Sequence, residues 1–448
     1  MATEIVSPPS FPQEMNYSLP SSLPAGKNYE VRVQPLNAQS FVASNVLQLD
    51  IPCGRRGSYL DPSTTYIRFK ATYTGTGIVS TQSSFLIGSG YSLFSRQEIY
   101  SNNSITLESI NELGVLANTL LQTQLNGADK FGLNSCMGFN TKGAWSILGH
   151  EINQTASAPG AFVFEYALPL IGILGSGSDK MIPVGNLLGL RLELTMDSYS
   201  NFTVSKSGGA ITGCTISEFE FVGNYIELDN GPQSIIEAQN PQKIYIRSQS
   251  YRTSTNTLAG GTSGLNDVLI GTRVSSLKSF FMTCSPSNAL EKKFASVNPN
   301  LTQGTCLVAG GLQIPQRTLN PSYHPADCFV ELQKALGALA VVNYNGAVSR
   351  DEYYTSSTAT GLMKAYNTTL ANIENEGVSP QFVLGLSAET VAHRGGLLSG
   401  ININNSPSFL RCQIDSALSA YTHTLYMFSY HDVILEFDVL AKTCDAKF

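Results

Sequence analysis

An internal repeat constrains this chain most, because two similar halves predict two similar domains. Residues 215–229 align without a gap with residues 424–438, at an offset of 209, so that Phe219 lies over Phe428. Two shorter pairs follow the same order at offsets of 215 and 219: Val31-Arg-Val-Gln34 with Ile246-Arg-Ser-Gln249, and Ile110-Asn-Glu-Leu113 with Phe329-Val-Glu-Leu332. Three landmarks in one order at nearly constant spacing predict one duplicated domain in each half of the chain.

Both halves consist of short segments in which apolar and polar residues alternate, separated by Gly, Ser, Asn and Pro. Period-two alternation with one polar face is typical of antiparallel sheets. Two segments show it most clearly, and their predicted inward residues are Ile67, Phe69, Ala71 and Tyr73 in the first and Leu190, Leu192, Leu194 and Met196 in the second. The Asn102-Asn103 pair, between residues 98–100 and 105–107, predicts a hairpin turn. The fold class is therefore all-β.

Helical spacing is the exception in this sequence. Apolar residues recur every three or four positions in three segments: residues 110–122, Pro325–Leu339 and residues 359–375. A long strand series with a helix in each half predicts two tandem antiparallel jelly-roll β-sandwiches, each with a short inserted helix. The expected organisation is an extended N-terminal arm over residues 1–28, a first jelly roll over 29–230, a linker over 231–243 and a second jelly roll over 244–448.

The composition excludes several classes of protein. Only 13% of the 448 residues are charged, about half the usual share, and the net charge is −6. Because a chain so poor in Lys and Arg neutralises few phosphates, no specific nucleic-acid binding is expected. The chain has no uncharged apolar run of about 18 residues, so no transmembrane segment is expected. Its first residues also lack the basic and apolar regions of a secretory signal.

Residue types that carry chemistry elsewhere form no motif here. The eight cysteines are too far apart for a Cys-x-x-Cys site and are interpreted as reduced, buried thiols. His324 and Cys328 are four residues apart, but Pro325 predicts that His324 precedes the helix. The Gly-rich segment 172–180 is followed by Met181-Ile-Pro183, which prevents the helix that a phosphate loop needs, so it is expected to be a surface turn. We expect no catalytic, cofactor-binding or metal-binding residues, and no enzyme.

Four blocks of sequence occur in order along most of the chain. They are Gln97–Leu113; Leu312–Arg317 followed by Phe329–Leu336; Leu168-Pro-Leu170 with Ile182-Pro-Val184 and Leu190–Leu194; and Leu397–Ile401. In pattern and order the chain resembles the double jelly-roll major capsid proteins of icosahedral double-stranded DNA viruses, most of all those of the polinton-like virus and virophage group.

The resemblance implies a structural role in the virion. Family members stand two jelly rolls upright on the capsid floor, and three chains form a homotrimeric capsomer that mimics a hexamer. The implied partners are the chain itself, neighbouring capsomers, and penton and minor capsid proteins, with assembly inside the infected host cell and no cofactor. The arm over residues 1–28 would reach neighbouring subunits, and loops 124–160 and 338–380 would lie outside or lock the trimer.

The low charge agrees with this implication, because permanent interfaces are depleted of charged residues. The preference of strands for β-branched and aromatic residues explains part of the shortage. If subunit contacts explain the rest, the remaining charges should gather on outer loops such as Arg350-Asp-Glu352 and Glu374-Asn-Glu376.

Two other functions are compatible with an all-β duplication. A tandem β-sandwich carbohydrate-binding or adhesive protein would use loop tyrosines as a stacking platform, with Tyr344, Tyr353, Tyr354 and Tyr366 as the candidates. An export signal, which such proteins usually carry, is not seen. An enzyme on a double-cupin barrel would need histidines and carboxylates clustered on one strand pair, whereas the five histidines are scattered: His150, His324, His393, His423 and His431.

Overall fold

The computed structural model describes the greater part of the chain, and every structural statement below concerns those residues. They are 26–76, 83–102, 104–124, 132, 136–138, 148–153, 162–175, 178, 180–205, 210–337, 348, 350–359, 361–366, 380–389, 400–414 and 421–448.

The first half contains twelve of the described strands, two helices and one single helical turn. The strands are β1 (Gly26–Val33), β2 (Ser40–Val42), β3 (Val46–Ile51), β4 (Ser58–Thr76), β5 (Ser83–Ile87), β6 (Phe94–Ser101), β7 (Ile105–Asn111), β8 (Leu148–Asn153), β9 (Phe162–Pro169), β10 (Leu190–Met196), β11 (Thr203–Ser205) and β12 (Ala210–Leu228). The helices are α1 (Leu113–Gln124), the single turn α2 (Tyr199–Phe202) and α3 (Asn230–Gln239).

The second half repeats this arrangement. Its described strands are β13 (Lys243–Leu258), β14 (Gly264–Ile270), β15 (Leu277–Pro286), β16 (Thr305–Ala309), β17 (Leu312–Leu319), β18 (Thr355–Ser356), β19 (Lys364–Ala365), β20 (Val383–Ser387), β21 (Ser408–Ile414), β22 (His423–Asp438) and β23 (Thr443–Lys447). Its helices are α4 (Pro325–Ala335) and the single turn α5 (Arg350–Tyr353). Short 3-10 turns lie at Gly90–Leu93 and Val184–Asn186 in the first half and at Lys292–Phe294 in the second.

Each half folds into two antiparallel sheets, and corresponding strands occupy corresponding places. In the first half the sheet orders are β1-β12-β4-β9 and β3-β10-β6-β7, and β2 extends the first of them. In the second half the orders are β13-β22-β15-β20 and β14-β21-β16-β17, and β23 extends the first of them. A small sheet, β11-β5-β8, and a parallel pair, β18-β19, complete the described pairings. The prediction of two tandem jelly rolls is confirmed, and the two halves are called roll one and roll two below.

The core of each roll lies between its two sheets, as the alternation predicts. In β4 the four predicted inward side chains are all buried, and the same is true of the four in β10. Phe69 of β4 crosses the gap to Phe94 of β6, with ring centroids 5.4 Å apart, and stacks on Phe219 at 5.6 Å. Edge-to-face and offset pairs of this kind stabilise a core beyond the apolar area they bury.

The predicted landmarks of the repeat fall on corresponding elements, but two of the three pairs are out of register. Val31 pairs with Gly223 of β12, whereas Ile246 pairs with Leu435 of β22, three residues beyond the residue that corresponds to Gly223. Residues 215–229 and 424–438 lie almost entirely in β12 and β22, and the Val31 and Ile246 segments begin in β1 and β13. The Ile110–Leu113 segment, however, spans the end of β7 and the first residue of α1, whereas Phe329–Leu332 lies inside α4. Helix follows strand in both rolls, but the residues aligned by sequence there are not structurally equivalent.

The hairpin is confirmed, and several predicted boundaries are corrected. Strands β6 and β7 pair antiparallel around Asn102, whose positive φ of 51° suits a tight turn. Helix α1 begins at Leu113 because residues 105–111 pair as a strand, and α4 ends at Ala335. Residues 26–28, predicted as arm, belong to β1; residues 1–25 lie outside the described residues.

The third predicted helix, residues 359–375, is wrong where the structure describes it. Gly361 has a positive φ of 61°, and Lys364 and Ala365 form β19, which pairs with β18. Residues 367–375 lie outside the described residues. The segment predicted as a linker contains α3, whose Gln233 is buried against roll one. Here Tyr59 Oη donates to Gln233 Oε1 at 3.0 Å.

Candidate assembly surfaces

A polar seam joins the two rolls. One side is formed by β6, β7 and the loop after β9, and the other by β13, β23 and the 3-10 turn Lys292–Phe294. The hydrogen bonds that cross it include Ser250 Oγ to Glu108 Oε1 at 2.5 Å, Thr253 Oγ1 to the Asn111 carbonyl at 2.6 Å, Ser178 Oγ with Ser248 Oγ at 2.9 Å, the Cys444 amide to Ser101 Oγ at 3.1 Å, and the Leu188 amide to the Lys442 carbonyl at 3.1 Å. Directional bonds from β13, from β23 and from the turn before β23 fix how the rolls are oriented.

Lys293 of roll two carries the ion pairs of this seam. Its ammonium lies 2.7 Å from Glu112 Oε2 and also pairs with Asp197, both in roll one. The Lys293 side chain is 12% exposed and that of Asp197 8%. Burial alone would lower the pKa of Lys293, but the two carboxylates outweigh it and the pKa is raised. The lysine is therefore held charged between the rolls.

Glu108 is a fully buried carboxyl group at the same seam. Oε1 accepts the Ile173 amide at 3.1 Å and the Ser250 hydroxyl, and Oε2 accepts Gln97 Nε2 at 3.0 Å. Gln97 Nε2 also donates to the Ile171 carbonyl at 2.7 Å, which fixes its amide orientation. Gly172, with a φ of +84°, lies so close that a Cβ there would be 2.1 Å from Oε1. The segment predicted as a surface turn thus begins as a cradle for this buried carboxylate.

Glu108 should make folding stability depend on pH in a specific window. Burial raises its pKa from 4.5 to about 7, against the opposing effect of the three hydrogen bonds. Between these values the folded chain keeps a proton on Glu108 that the unfolded chain has lost. The contribution of Glu108 to the free energy of unfolding therefore falls as pH rises from 4.5 to 7 and changes no further above that. The loss is about 3 kcal/mol.

This expectation can be checked by urea unfolding between pH 4.5 and 7.5. Wild type should lose about 3 kcal/mol more than Glu108→Gln over that range. Parallel profiles for the two proteins would show that Glu108 does not titrate there.

A second buried charge network lies in roll two beside a cavity of about 260 Å³. Lys278 Nζ is 3.1 Å from Glu389 Oε1 and 3.6 Å from Asp432 Oδ1, and Arg247 approaches the same Asp432 oxygen at 3.7 Å. Ser276 donates to Asp432 Oδ2 at 2.8 Å. Two cations face two carboxylates, so the network is balanced and offers no surplus charge to a ligand.

Of the three histidines whose side chains the structure describes, two lie in the core and the third, His324, is exposed just before α4. His423 and His431 are fully buried, and burial lowers the pKa of each to about 4, which keeps both neutral at physiological pH. His324 precedes Pro325, the first residue of α4, as predicted. Among the described residues no three His, Cys, Asp or Glu side chains are grouped to hold a metal ion. His393 and the side chain of His150 lie outside the described residues.

The eight cysteines are all free thiols. Six are buried and two, Cys53 and Cys136, are partly buried. Burial raises the pKa of Cys328 to about 12, with a smaller contribution from the neighbouring carboxylates. A thiol with such a pKa is a poor nucleophile at neutral pH, so Cys328 is a core residue.

The tyrosine platform of the adhesive alternative does not form in the described residues. Tyr353 is 1% exposed and packs on Phe329 and Phe382. Tyr366 donates to Glu291 Oε2 at 2.5 Å, and Tyr354 lies under the Arg350 guanidinium at 5.1 Å. Tyr344 lies outside the described residues.

The predicted gathering of charges on outer loops is only partly correct. Arg350 and Asp351 are exposed, and Asp351 pairs with Lys364 at 2.8 Å. Glu352 is 1% exposed within its own chain, because α5 turns it inward, and residues 374–376 lie outside the described residues. Several charges of roll one lie instead on the outer faces of its sheets as ion pairs: Arg32 with Glu30, Arg68 with Glu165, Lys70 with Glu218, and Arg191 with Asp50. No helix in the described ranges is long and apolar enough to cross a membrane.

Two jelly rolls in tandem, joined by a fixed seam, define a double jelly-roll protein. The chain is similar to the quasi-atomic model of the PBCV-1 virus capsid, with a TM-score of 0.60, 10% identity, and coverage of 96% of this chain and 98% of that one. For the faustovirus major capsid protein the values are 0.57, 10%, 94% and 92%, and for the mavirus major capsid protein 0.50, 12%, 100% and 97%. No family model and no curated protein matches the sequence. At these identities the likeness establishes the fold.

Proposed function

We propose that this chain is a major capsid protein, a structural subunit that self-assembles into the icosahedral shell of a double-stranded DNA virus. The observation that carries the proposal is the complete two-roll architecture, which matches solved viral capsid proteins over at least 94% of this chain. The charge-poor composition supports a structural role, because permanent interfaces are depleted of charged residues. The virion is then its location.

The assembly unit that we propose is a homotrimer with six rolls, a pseudo-hexamer. In it each chain contributes roll one, which begins with β1 at Gly26 and ends at residue 230, and roll two, which begins with β13 at Lys243 and ends at residue 448, joined by residues 231–242. Neighbouring trimers, and penton and minor capsid proteins, would be the further partners in the shell. We propose no cofactor.

Native mass spectrometry of the purified chain tests this proposal. Three chains of 48.2 kDa give a trimer of 144.6 kDa. A monomer at micromolar concentration, together with clear binding on a glycan array, would favour the adhesive alternative and contradict the capsid function.

A further inference from the structure

Lys293, Asp197 and Glu112 meet at the seam, although they come from three separate segments of the chain. Lys293 belongs to roll two, whereas Asp197, which follows β10, and Glu112, which lies between β7 and α1, belong to roll one. The Lys293 ammonium contacts Asp197 Oδ2 and lies 2.7 Å from Glu112 Oε2. The fold thus holds together an amine, a carboxyl group that it can attack and a second carboxylate that can accept its proton.

The two oxygens of the Asp197 carboxyl group have different surroundings. Oδ1 accepts the Ser198 amide at 2.7 Å and Asn201 Nδ2 at 2.8 Å. Oδ2 faces Lys293 and accepts no hydrogen bond from other groups in the described part of the chain. Two N–H donors at such distances from one oxygen can stabilise the negative charge of a tetrahedral intermediate. Oδ1 is therefore placed to carry that charge, and Oδ2 is placed to leave.

The surroundings of this group keep out most of the water. The side chains of Asp197 and Lys293 are nearly buried, and the ring centroid of the buried Phe294 lies 5.7 Å from Lys293 Nζ. Glu112 is more open, with 28% of its side chain exposed, and gives a route by which a water molecule can leave. Exclusion of water strengthens the electrostatic interactions of a site and limits hydrolysis of what forms there.

The backbone has an unusual conformation at two positions beside this group. Glu112 has a φ of 52°, and Lys292, directly before Lys293, has a φ of 53°. Residues other than glycine rarely adopt a positive φ, and the resulting strain is concentrated at functional sites. The strained backbone on both sides supports a functional role for the contact between Lys293 and Glu112.

We propose that Lys293 and Asp197 condense to an amide bond that joins the two rolls covalently, with Glu112 as the proton carrier. Glu112 moves two protons, one at a time, from Lys293 Nζ to Asp197 Oδ2. After the first transfer the neutral amine attacks Cγ of the carboxylic acid, and negative charge collects on Oδ1. After the second transfer the Cγ–Oδ2 bond breaks, Oδ2 leaves as water and the Nζ–Cγ amide remains. One ammonium and one carboxylate give one amide and one water, so no further reactant is needed.

The ion pair seen in the structure is the state before this bond forms. Holding the amine against the carboxyl group replaces a bimolecular encounter, which corresponds to an effective concentration of about 10⁵–10⁸ M. Because the two carboxylates keep Lys293 protonated, the bond should form slowly, after the chain has folded. The bond lies inside one chain, so the inference does not depend on the capsid function.

Mass spectrometry of the denatured chain tests the inference, after the folded protein has been incubated until its mass changes no further. Wild type should be lighter than its sequence mass by one water molecule. Trypsin should release residues 192–206, which contain Asp197, joined to residues 293–317, because trypsin does not cut after an amidated lysine. Lys293→Arg keeps the positive charge and the ion pairs, but its guanidinium does not condense, so this variant should keep its full sequence mass.

Two further variants test the role of Glu112 and the specificity of the bond. Glu112→Gln removes the proton carrier and should slow the formation of the linked peptide about 100-fold or more. Lys278→Arg is the matched control, since Lys278 is a buried lysine that pairs with two carboxylates within roll two, and it should lose water as wild type does. If wild type keeps its full sequence mass, or Glu112→Gln forms the linked peptide as fast as wild type, the inference is wrong.

Discussion

Lys293→Met should lower the free energy of unfolding by about 3–5 kcal/mol, because it leaves two carboxylates of roll one facing the seam without their cation. Leaving Asp197 without its cation costs more free energy than leaving Glu112 without it. The Asp197 side chain is only 8% exposed and cannot regain water unless the seam opens. Urea unfolding followed by far-UV circular dichroism measures the loss. The rolls should also separate more readily, which an earlier first transition in the unfolding curve would reveal.

Lys334→Met is the matched control for this prediction. Lys334 pairs with Glu331 at 2.6 Å on the surface of α4, where its side chain is 44% exposed. Solvent screens such a pair, so the variant should stay within about 1 kcal/mol of wild type. Equal effects of the two substitutions would mean that the seam ion pairs contribute no more than a surface pair does.

Gly172→Ala should cost a similar amount, about 3–5 kcal/mol, for two reasons that add. An alanine at a φ of +84° is strained by about 1–2 kcal/mol. Its Cβ would also lie 2.1 Å from Glu108 Oε1, which forces the carboxylate away from the Ile173 amide and the Ser250 hydroxyl. Buried groups that lose their partners cost about 1–3 kcal/mol, and more when charged.

Gly311→Ala separates these two causes. Gly311 has nearly the same φ, +80°, but a Cβ there would meet no atom within 4 Å. It should therefore show the backbone strain alone, and the difference between the variants measures the displacement of Glu108. A difference near zero in thermal or urea unfolding would show that the cradle around Glu108 contributes nothing to stability.

The sequence was sufficient for the fold class because strand alternation is a local property. Ile67, Phe69, Ala71 and Tyr73 are buried as the period of two predicts, and the repeat identified the duplication before any pairing was known. The helix boundaries could be predicted less well from the sequence. Residues 105–111 carry apolar spacing that suits either element, and their pairing with β6 makes them a strand. The segment 359–375 has helical spacing, but Gly361 and the pairing of β19 with β18 prevent a helix there.

The seam could not be predicted from the sequence, because its residues come from distant segments. Glu108 and Ser250 are 142 residues apart, and Glu112 and Lys293 are 181 apart. Nothing in the local sequence distinguishes Lys293 from Lys292, although only Lys293 reaches two carboxylates of the other roll. One signal was present in the sequence. The Gly-rich segment 172–180 is not followed by a phosphate-binding helix, so its first glycine has another role, which is to let the backbone lie close to Glu108.

The few charged residues of this chain are unevenly distributed over its strands. Several charges of roll one form ion pairs on sheet faces, whereas the edge strand β17 carries a single charged residue, Arg317, in eight. An edge strand so poor in charge is exposed to pairing with another chain unless a partner covers it.

Electron microscopy of the purified wild-type chain tests the central claim most directly. If the chain is a capsid subunit, particle averages should show three-fold symmetry and a pseudo-hexagonal outline built from six lobes, two for each chain. Particles with only two lobes, each a single 48.2 kDa chain, would contradict the proposed function.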